Sequence, residues 1–289
     1  MSNWNVADVA GRPADPASRK GGRNLWLATG VGLGLLIVTL GAAYFSSAVF
    51  ALIIYGLCLA SFPEWKRALA RQGRVISLTP IIAGTIGMGI STWFDGREGL
   101  VVALLVASGG TIAWRLVDEW VENTLHDALA SILTLVWIPF LASFFLLLIQ
   151  ADDGYIRVFI VIAAVAGNDT GGLFMGMLFG HNKMAPHISP KKTWEGAVGG
   201  FLVGTALAAA VSWYFFEGDW VTGAIVGAAA TVAAIMGDLV ESALKRDIEI
   251  KDMGSIIPGH GGILDRMDSM LLAAPVAYAV FAVLKGTIG

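Results

Sequence analysis

Residues 220–285 read WVTGAIVGAAATVAAIMGDLVESALKRDIEIKDMGSIIPGHGGILDRMDSMLLAAPVAYAVFAVLK. Two strongly apolar runs enclose a charged stretch. Each run approaches the roughly 20 residues that an α-helix needs to cross a bilayer. The stretch between them, 242–269, gathers Lys245, Arg246, Asp247, Lys251, Asp252, His260, Asp265, Arg266 and Asp268. Charged groups are costly beside hydrocarbon, so a cluster there marks a functional site. Its mixture is informative. Carboxylates suit metal ions, Lys and Arg suit phosphates, and a Gly-rich turn lets backbone approach a ligand.

The rest of the chain agrees with a membrane reading. Of 289 residues, 56% are hydrophobic and 14% charged, and the mean hydropathy is +0.71. Soluble domains carry roughly 25% charged residues, so a soluble globular class is excluded. The net charge of −3 and the lack of a long basic run give no reason to expect nucleic acid as a partner. One cysteine, Cys58, rules out an internal disulfide and reads as a small buried hydrophobe. Residues 1–24 are polar and read as a flexible tail rather than a signal peptide, because the first apolar run starts late and leads into further spans.

Nine candidate spans follow, at 25–41, 44–62, 76–94, 100–117, 128–149, 155–179, 194–216, 220–244 and 270–285. Continuous apolar runs lack the alternation of a barrel, so the expected fold is all-α, polytopic and integral to the membrane. It divides into N-terminal spans (25–150) and a C-terminal region (151–289) that carries the chemistry. One set of connections is basic, with Lys66, Arg67, Arg71 and Arg74, then Lys183, Lys191 and Lys192, then Lys245, Arg246, Lys251 and Arg266. The alternate set is acidic, at 95–98, 152–153 and 217–219. The positive-inside rule then puts the N-terminus and the loops 180–193 and 245–269 in the cytoplasm, and the protein in the cell membrane.

Four constellations stand out. Asp238, Glu241, Ser242 and Lys245 share one helical stripe by their spacing, and Asp265 and Asp268 lie three apart at the start of the last span. Two helix ends bearing carboxylates can converge on one divalent cation, and Mg²⁺ typically takes one or two protein carboxylates plus substrate phosphates. Gly259-His260-Gly261-Gly262 makes a loop whose N–H groups can cradle phosphate. His260 can bond a phosphate or a metal-bound water, or simply orient the loop. In Ser189-Pro190-Lys191-Lys192-Thr193-Trp194-Glu195-Gly196, Ser189 reads as an N-cap and Pro190 as the first helical residue. Two lysines in that first turn oppose the helix dipole unless an anion is bound. Asp169, within an apolar run, is expected to face a site rather than lipid. Arg115 and Glu119 read as a structural i,i+4 pair.

The spacing Ser242-x2-Lys245-Arg246-x4-Lys251-Asp252-x5-Pro258-x-His260-Gly261-Gly262-x2-Asp265-Arg266-x-Asp268 resembles the signature of the phosphatidate cytidylyltransferases, or CDP-diacylglycerol synthases. The segment from Ser189 to Gly196 is similar to a second hallmark of that family. With Asp169 and Asp238, the resemblance covers about the C-terminal half. It implies a helical membrane enzyme, usually a homodimer, that converts CTP and phosphatidate to CDP-diacylglycerol and pyrophosphate. It further implies Mg²⁺ at Asp238 and Asp265, with room for a monovalent cation such as K⁺ beside it.

On that reading a phosphatidate oxygen attacks the α-phosphorus of CTP. The expected catalytic set is Asp238, Asp265, Asp268, Asp169 and Lys245. The expected substrate contacts are Lys191, Lys192, Ser242, Arg246, Lys251, His260, Gly261, Gly262 and Arg266. Two alternatives remain open from the residues: an ion-coupled transporter using Asp169 and Asp238, and another CTP-using lipid enzyme such as a lipid-alcohol kinase. The absence of G-x4-G-K-[ST] disfavours a P-loop enzyme.

Overall fold

Apolar sequence in a bilayer must satisfy its backbone internally, and this chain does so almost entirely with helices. The computed structural model describes residues 25–117, 123–254 and 261–285. The elements are α1 (Leu25–Phe45), α2 (Ser47–Arg71), α3 (Leu78–Trp114), α4 (Thr124–Leu135), a π-helical turn (Val136–Phe140), α5 (Leu141–Ile149) and α6 (Gly154–Phe179). A hairpin of β1 (Lys183–Ala185) and β2 (Ser189–Thr193) precedes α7 (Trp194–Phe215), α8 (Trp220–Asp247) and α9 (Leu264–Lys285). Among the described residues seven helical segments are long and apolar enough to cross a membrane: α2, α3, the α4–α5 run, and α6 to α9. The chain is a multi-pass membrane protein. The expected tail at 1–24 lies outside the described residues.

The α3 segment contains two of the expected spans. At 37 residues a straight helix would run about 55 Å, well beyond a hydrocarbon core of about 30 Å. Its helix breaks at Gly96, with φ 59° and ψ −138°, a left-handed region that glycine enters without steric penalty. The two arms fold back on one another. A Cβ on Gly84 would sit 2.6 Å from the Ala107 Cβ, whereas a straight helix would hold these residues about 35 Å apart. Gln150 Nε2 donates to Trp93 O at 2.8 Å, tying this reversal to the end of α5. At the opposite end Val75 N donates to Asp127 Oδ1 at 3.0 Å and Arg115 Nη2 to Asp127 Oδ2 at 2.9 Å. Glu119, the expected partner of Arg115, lies outside the described residues.

Three local expectations are corrected. The second span does not end near residue 62: α2 runs on through Pro63 to Arg71, because Glu64, Trp65, Ala68 and Leu69 are buried and Trp65 Nε1 donates to Thr134 Oγ1 at 2.8 Å. The loop expected at 245–269 is shorter. Lys245 and Arg246 belong to α8, and Asp265 to Ser269 belong to α9. Ser189 is not a helix cap. Residues Ser189–Thr193 form β2, pairing antiparallel with β1 through Lys183 with Thr193 and Ala185 with Ser189. Thr193 is the cap instead, accepting from Gly196 N at 3.1 Å. The extended strand removes Lys191 and Lys192 from the helix N-terminus, where the dipole would repel them, and leaves Glu195 in the favourable first turn.

The most extensive helix pair is α6 with α7. Small residues let their backbones meet, since lipid supplies no hydrophobic drive and close packing must hold the helices together. A Cβ on Gly167 would lie 2.7 Å from Gly204 Cα. Overpacking here should cost about 1–3 kcal/mol. Gly204→Val is therefore expected to lower the melting temperature in detergent, while Gly87→Ala, with open space around it, should leave it unchanged or raise it slightly.

Candidate active site

Side chains from α2, α6, β2, α8 and α9 converge at one end of the bundle. Cross-links identify this end directly. Arg246 Nε donates to Ile188 O at 3.0 Å, joining α8 to the hairpin. Gln72 Nε2 donates to Asp247 O at 2.8 Å, joining the end of α2 to the end of α8. The two loops singled out from the sequence thus meet, and α8 runs between two clusters of charge.

The first cluster borders a cavity of about 470 Å³ among α6, β2, α7 and α8. Asp169, Lys191, Lys192 and Asp238 line it together with the apolar Leu173, Met177, Met184 and Ile235. Asp238 Oδ2 pairs with Lys192 Nζ at 2.5 Å, and its Oδ1 accepts from Ser242 Oγ at 3.3 Å. Asp169 accepts from Asn168 Nδ2 at 3.3 Å. Asp268 stands just behind: α8 packs so tightly on α9 that a Cβ on Gly237 would be 2.6 Å from Asp268 O. Asp169, Asp238 and Asp268 lie within electrostatic reach of one another, and Arg266 within reach of Asp169. Three acids from three helices, with cations among them, make a site suited to polyanions and a hard cation.

The second cluster is more deeply buried. Lys245 Nζ bridges Glu241 Oε1 at 3.1 Å and Asp265 Oδ1 at 2.8 Å. Asp265 Oδ2 accepts from Met253 N at 2.9 Å and Gly262 N at 2.8 Å. Glu64, from α2, has no exposed surface, and its Oε2 accepts from Ile263 N at 2.8 Å. Gly261 takes φ +82°, which explains a glycine there. Two carboxylates from different helices therefore hold the two stems of the loop.

The expected residues are thus brought to one end but divided between two roles. Asp238, Asp169, Lys191 and Lys192 face the cavity, and Ser242 supports Asp238. Asp265 and Lys245 build the loop anchor. Lys251 is exposed on the loop, Arg266 is exposed at the start of α9, and Arg246 is engaged with the hairpin backbone. His260 lies outside the described residues. Among the described residues no three His, Cys, Asp or Glu side chains form a ready metal cage. The donor chemistry still fits Mg²⁺, which takes few protein carboxylates and completes its shell with phosphate and water. Asp238 is about a third exposed on the cavity. Asp265 keeps lone-pair capacity beyond its three hydrogen bonds.

Sequence reading missed Glu64. It ended the second span at residue 62 and left this acid among the basic loop residues. The available signal was an acid one turn beyond an apolar run, flanked by Pro63 and the large apolar Trp65. Glu241 stands on the α8 stripe with no role read for it from the sequence; it is fully buried and accepts from Lys245 Nζ at 3.1 Å.

These features define a helical membrane protein with a phosphate-suited site at one end of its spans. The chain belongs to the cytidylyltransferase family, whose model matches residues 26–284. It is similar to the phosphatidate cytidylyltransferase of Mycobacterium leprae, 36% identical over 286 residues, covering 92% of this chain and 90% of that one. The protein of the same name from Synechocystis is 31% identical over 285 residues, covering 86% and 92%. That from Haemophilus influenzae is 40% identical over 178 residues, covering 57% and 60%.

Lys245 is 12% exposed and faces two acids. Removing one partner of a buried ion pair costs about 3–5 kcal/mol because the remaining charge is left uncompensated. Lys245→Met should therefore lower stability by that order, whereas Lys191→Met on the exposed strand should change it by less than about 0.5 kcal/mol; thermal or denaturant unfolding in detergent checks both.

Proposed function

We propose that this protein transfers CMP from CTP to phosphatidate, giving CDP-diacylglycerol and pyrophosphate. The observation that carries the reading is the mixed lining of the cavity: Lys191, Lys192, Asp169 and Asp238 together with Leu173, Met177, Met184 and Ile235. A lipid phosphate needs both kinds of surface at once, a cationic place for its headgroup and apolar contacts for its acyl chains. Family membership and the names of the similar proteins support the same reaction.

A phosphatidate oxygen attacks the α-phosphorus of CTP as the bond to the bridging oxygen breaks. Pyrophosphate leaves with that electron pair. A phosphate monoester has a second pKa of about 6, so the nucleophile is already anionic near neutrality and needs no strong base. The protein's task is to bring two polyanions together and to neutralise charge as it shifts. Lys191 and Lys192 hold phosphate at the cavity mouth. Lys192 is preset by Asp238, and a substrate phosphate can replace that carboxylate as its partner. Mg²⁺ at Asp238 and Asp265 would supply charge neutralisation at the phosphates. Asp169 and Asp268 orient the acidic side of the site. Lys251, Arg266 and the glycine turn with His260 are assigned to the triphosphate.

We also assign nine crossings with a cytoplasmic N-terminus, counting α1 and both arms of α3, and a cytoplasmic site in the cell membrane. The gathering of the basic connections at one end supports this. CTP then arrives from water while phosphatidate stays in the bilayer. The opposite end is occupied by packing: Asp153 pairs with Arg157 and with Lys285 at 3.6 Å, and Arg157 lies over the Phe281 ring. Such an end favours an enzyme over a conduit. A homodimer and surrounding lipids are the remaining assigned partners.

Purified protein given phosphatidate, Mg²⁺ and CTP labelled at the α-phosphate should move label into lipid, and EDTA should abolish the transfer. Label staying in water with a range of lipid phosphates would overturn the reading. Asp238→Asn should lower kcat about 100-fold or more, the scale of losing a group that stabilises developing charge. Its melting temperature should barely change, since a partly exposed pair contributes about 0–1 kcal/mol.

A further inference from the structure

Residues Gly254 and Gly262 are eight positions apart, yet their backbones are neighbours. A Cβ on Gly262 would lie 2.8 Å from Gly254 N, and a Cβ on either glycine would overlap the Glu64 carboxylate. The carboxylate therefore fills the gap between the two loop stems. Ile263 N donates to its Oε2 at 2.8 Å. Oε1 is buried and accepts no hydrogen bond among the described residues. The contact spans 199 positions of sequence. It is the place where α2, from the half of the chain without signature residues, grips the signature loop.

A buried carboxylate is an expensive way to fill space. An apolar side chain would pack there at lower cost, unless the hydrogen bond from Ile263 N does something packing cannot. Asp265 holds the same stems through Met253 N and Gly262 N, and it also holds Lys245. With Glu64 absent, Asp265 would be the one side chain still hydrogen-bonded to both stems among the described residues. The loop's strain would then fall on the carboxylate and lysine assigned to the chemistry.

We propose that Glu64 is a positioning residue for cytidylyl transfer: it fixes the stems Met253–Gly254 and Gly261–Ile263, and through them the orientation of Asp265 and Lys245. The proposal rests on the functional reading above. Glu64 does not line the lipid-phosphate cavity, so it acts on turnover and on CTP, not on phosphatidate.

The test compares wild-type protein with Glu64→Ala, Glu64→Gln and Gly254→Ala in detergent. Three readouts are taken: kcat with both KM values, the melting temperature, and amide hydrogen exchange across residues 248–263. Wild-type turnover tests the functional reading by itself. Glu64→Ala should lower kcat at least 10-fold, leave the phosphatidate KM within twofold, and speed exchange at the Ile263 amide at least 10-fold. Exchange in α7 should stay unchanged. Glu64→Gln should keep at least a third of the wild-type kcat, because its amide oxygen can still accept from Ile263 N. Gly254→Ala should lower kcat in the wild-type background but add nothing in the Glu64→Ala background, where the overlap is gone. Unchanged exchange at Ile263 in folded Glu64→Ala would overturn the proposal. So would equal losses for Ala and Gln, or a fall in activity that only tracks the folded fraction. Should Glu64→Ala fail to fold, Glu64→Gln and Gly254→Ala decide: the proposal survives only if Gln retains turnover and Gly254→Ala loses it with faster exchange at Ile263. If the wild type transfers no label, the exchange results still decide whether Glu64 holds the loop.

Discussion

Lys245 sits at the junction on which the charged end of this protein depends. One ammonium bridges the buried Glu241 on its own helix and Asp265 at the start of α9. The two acids could not be buried side by side without it, because each would lack an opposite charge in a region where water cannot help. Asp265 in turn holds the backbone of Met253 and Gly262. A single cation thus ties α8 to the start of α9 and, through Asp265, to both stems of the loop between them.

The second constraint is distance between backbones. The α6–α7 seam is lined with glycine, so Asp169 on α6 can approach the strand carrying Lys191 and Lys192 and the stripe on α8. Larger residues would clash across this seam, where a Cβ on Gly167 would lie 2.7 Å from Gly204 Cα. The α6–α9 region is therefore built from small residues along its helices and charged residues at one end. The N-terminal helices contribute differently. The hairpin of α3 and the Arg115–Asp127 pair brace the end of α2, and α2 carries Glu64 to the signature loop.

The division of the site into a cavity and an anchor gives its residues distinct physical tasks. Groups on the cavity, such as Lys192 and Asp238, are partly exposed; their pairing is weak enough for a substrate phosphate to replace it. Groups in the anchor are buried and held by hydrogen bonds to the loop backbone or to Lys245, and their value lies in rigidity. A reaction whose nucleophile is already charged needs little acid–base chemistry but exact placement of two polyanions. Partly exposed charges on the cavity beside buried ones in the anchor meet that need.

Much of this was present in the sequence alone. Hydropathy established a polytopic helical membrane protein, the spacing from Ser242 to Asp268 pointed to the family, and the acidic turn at 95–98 marked the reversal that α3 makes at Gly96. These are local properties: apolar length, residue order and the conformational freedom of one glycine. Tertiary structure decided the rest. Residues Ser189–Thr193 are a strand because β1 offers a partner, although the same residues in isolation read as a helix start. Asp238 and Asp265 take different partners, Lys192 from β2 and Lys245 from α8, which the spacing of the residues does not encode. Glu64 joined the loop across 199 positions, a pairing no local pattern encodes, since only the packing of α2 against α9 brings those atoms together.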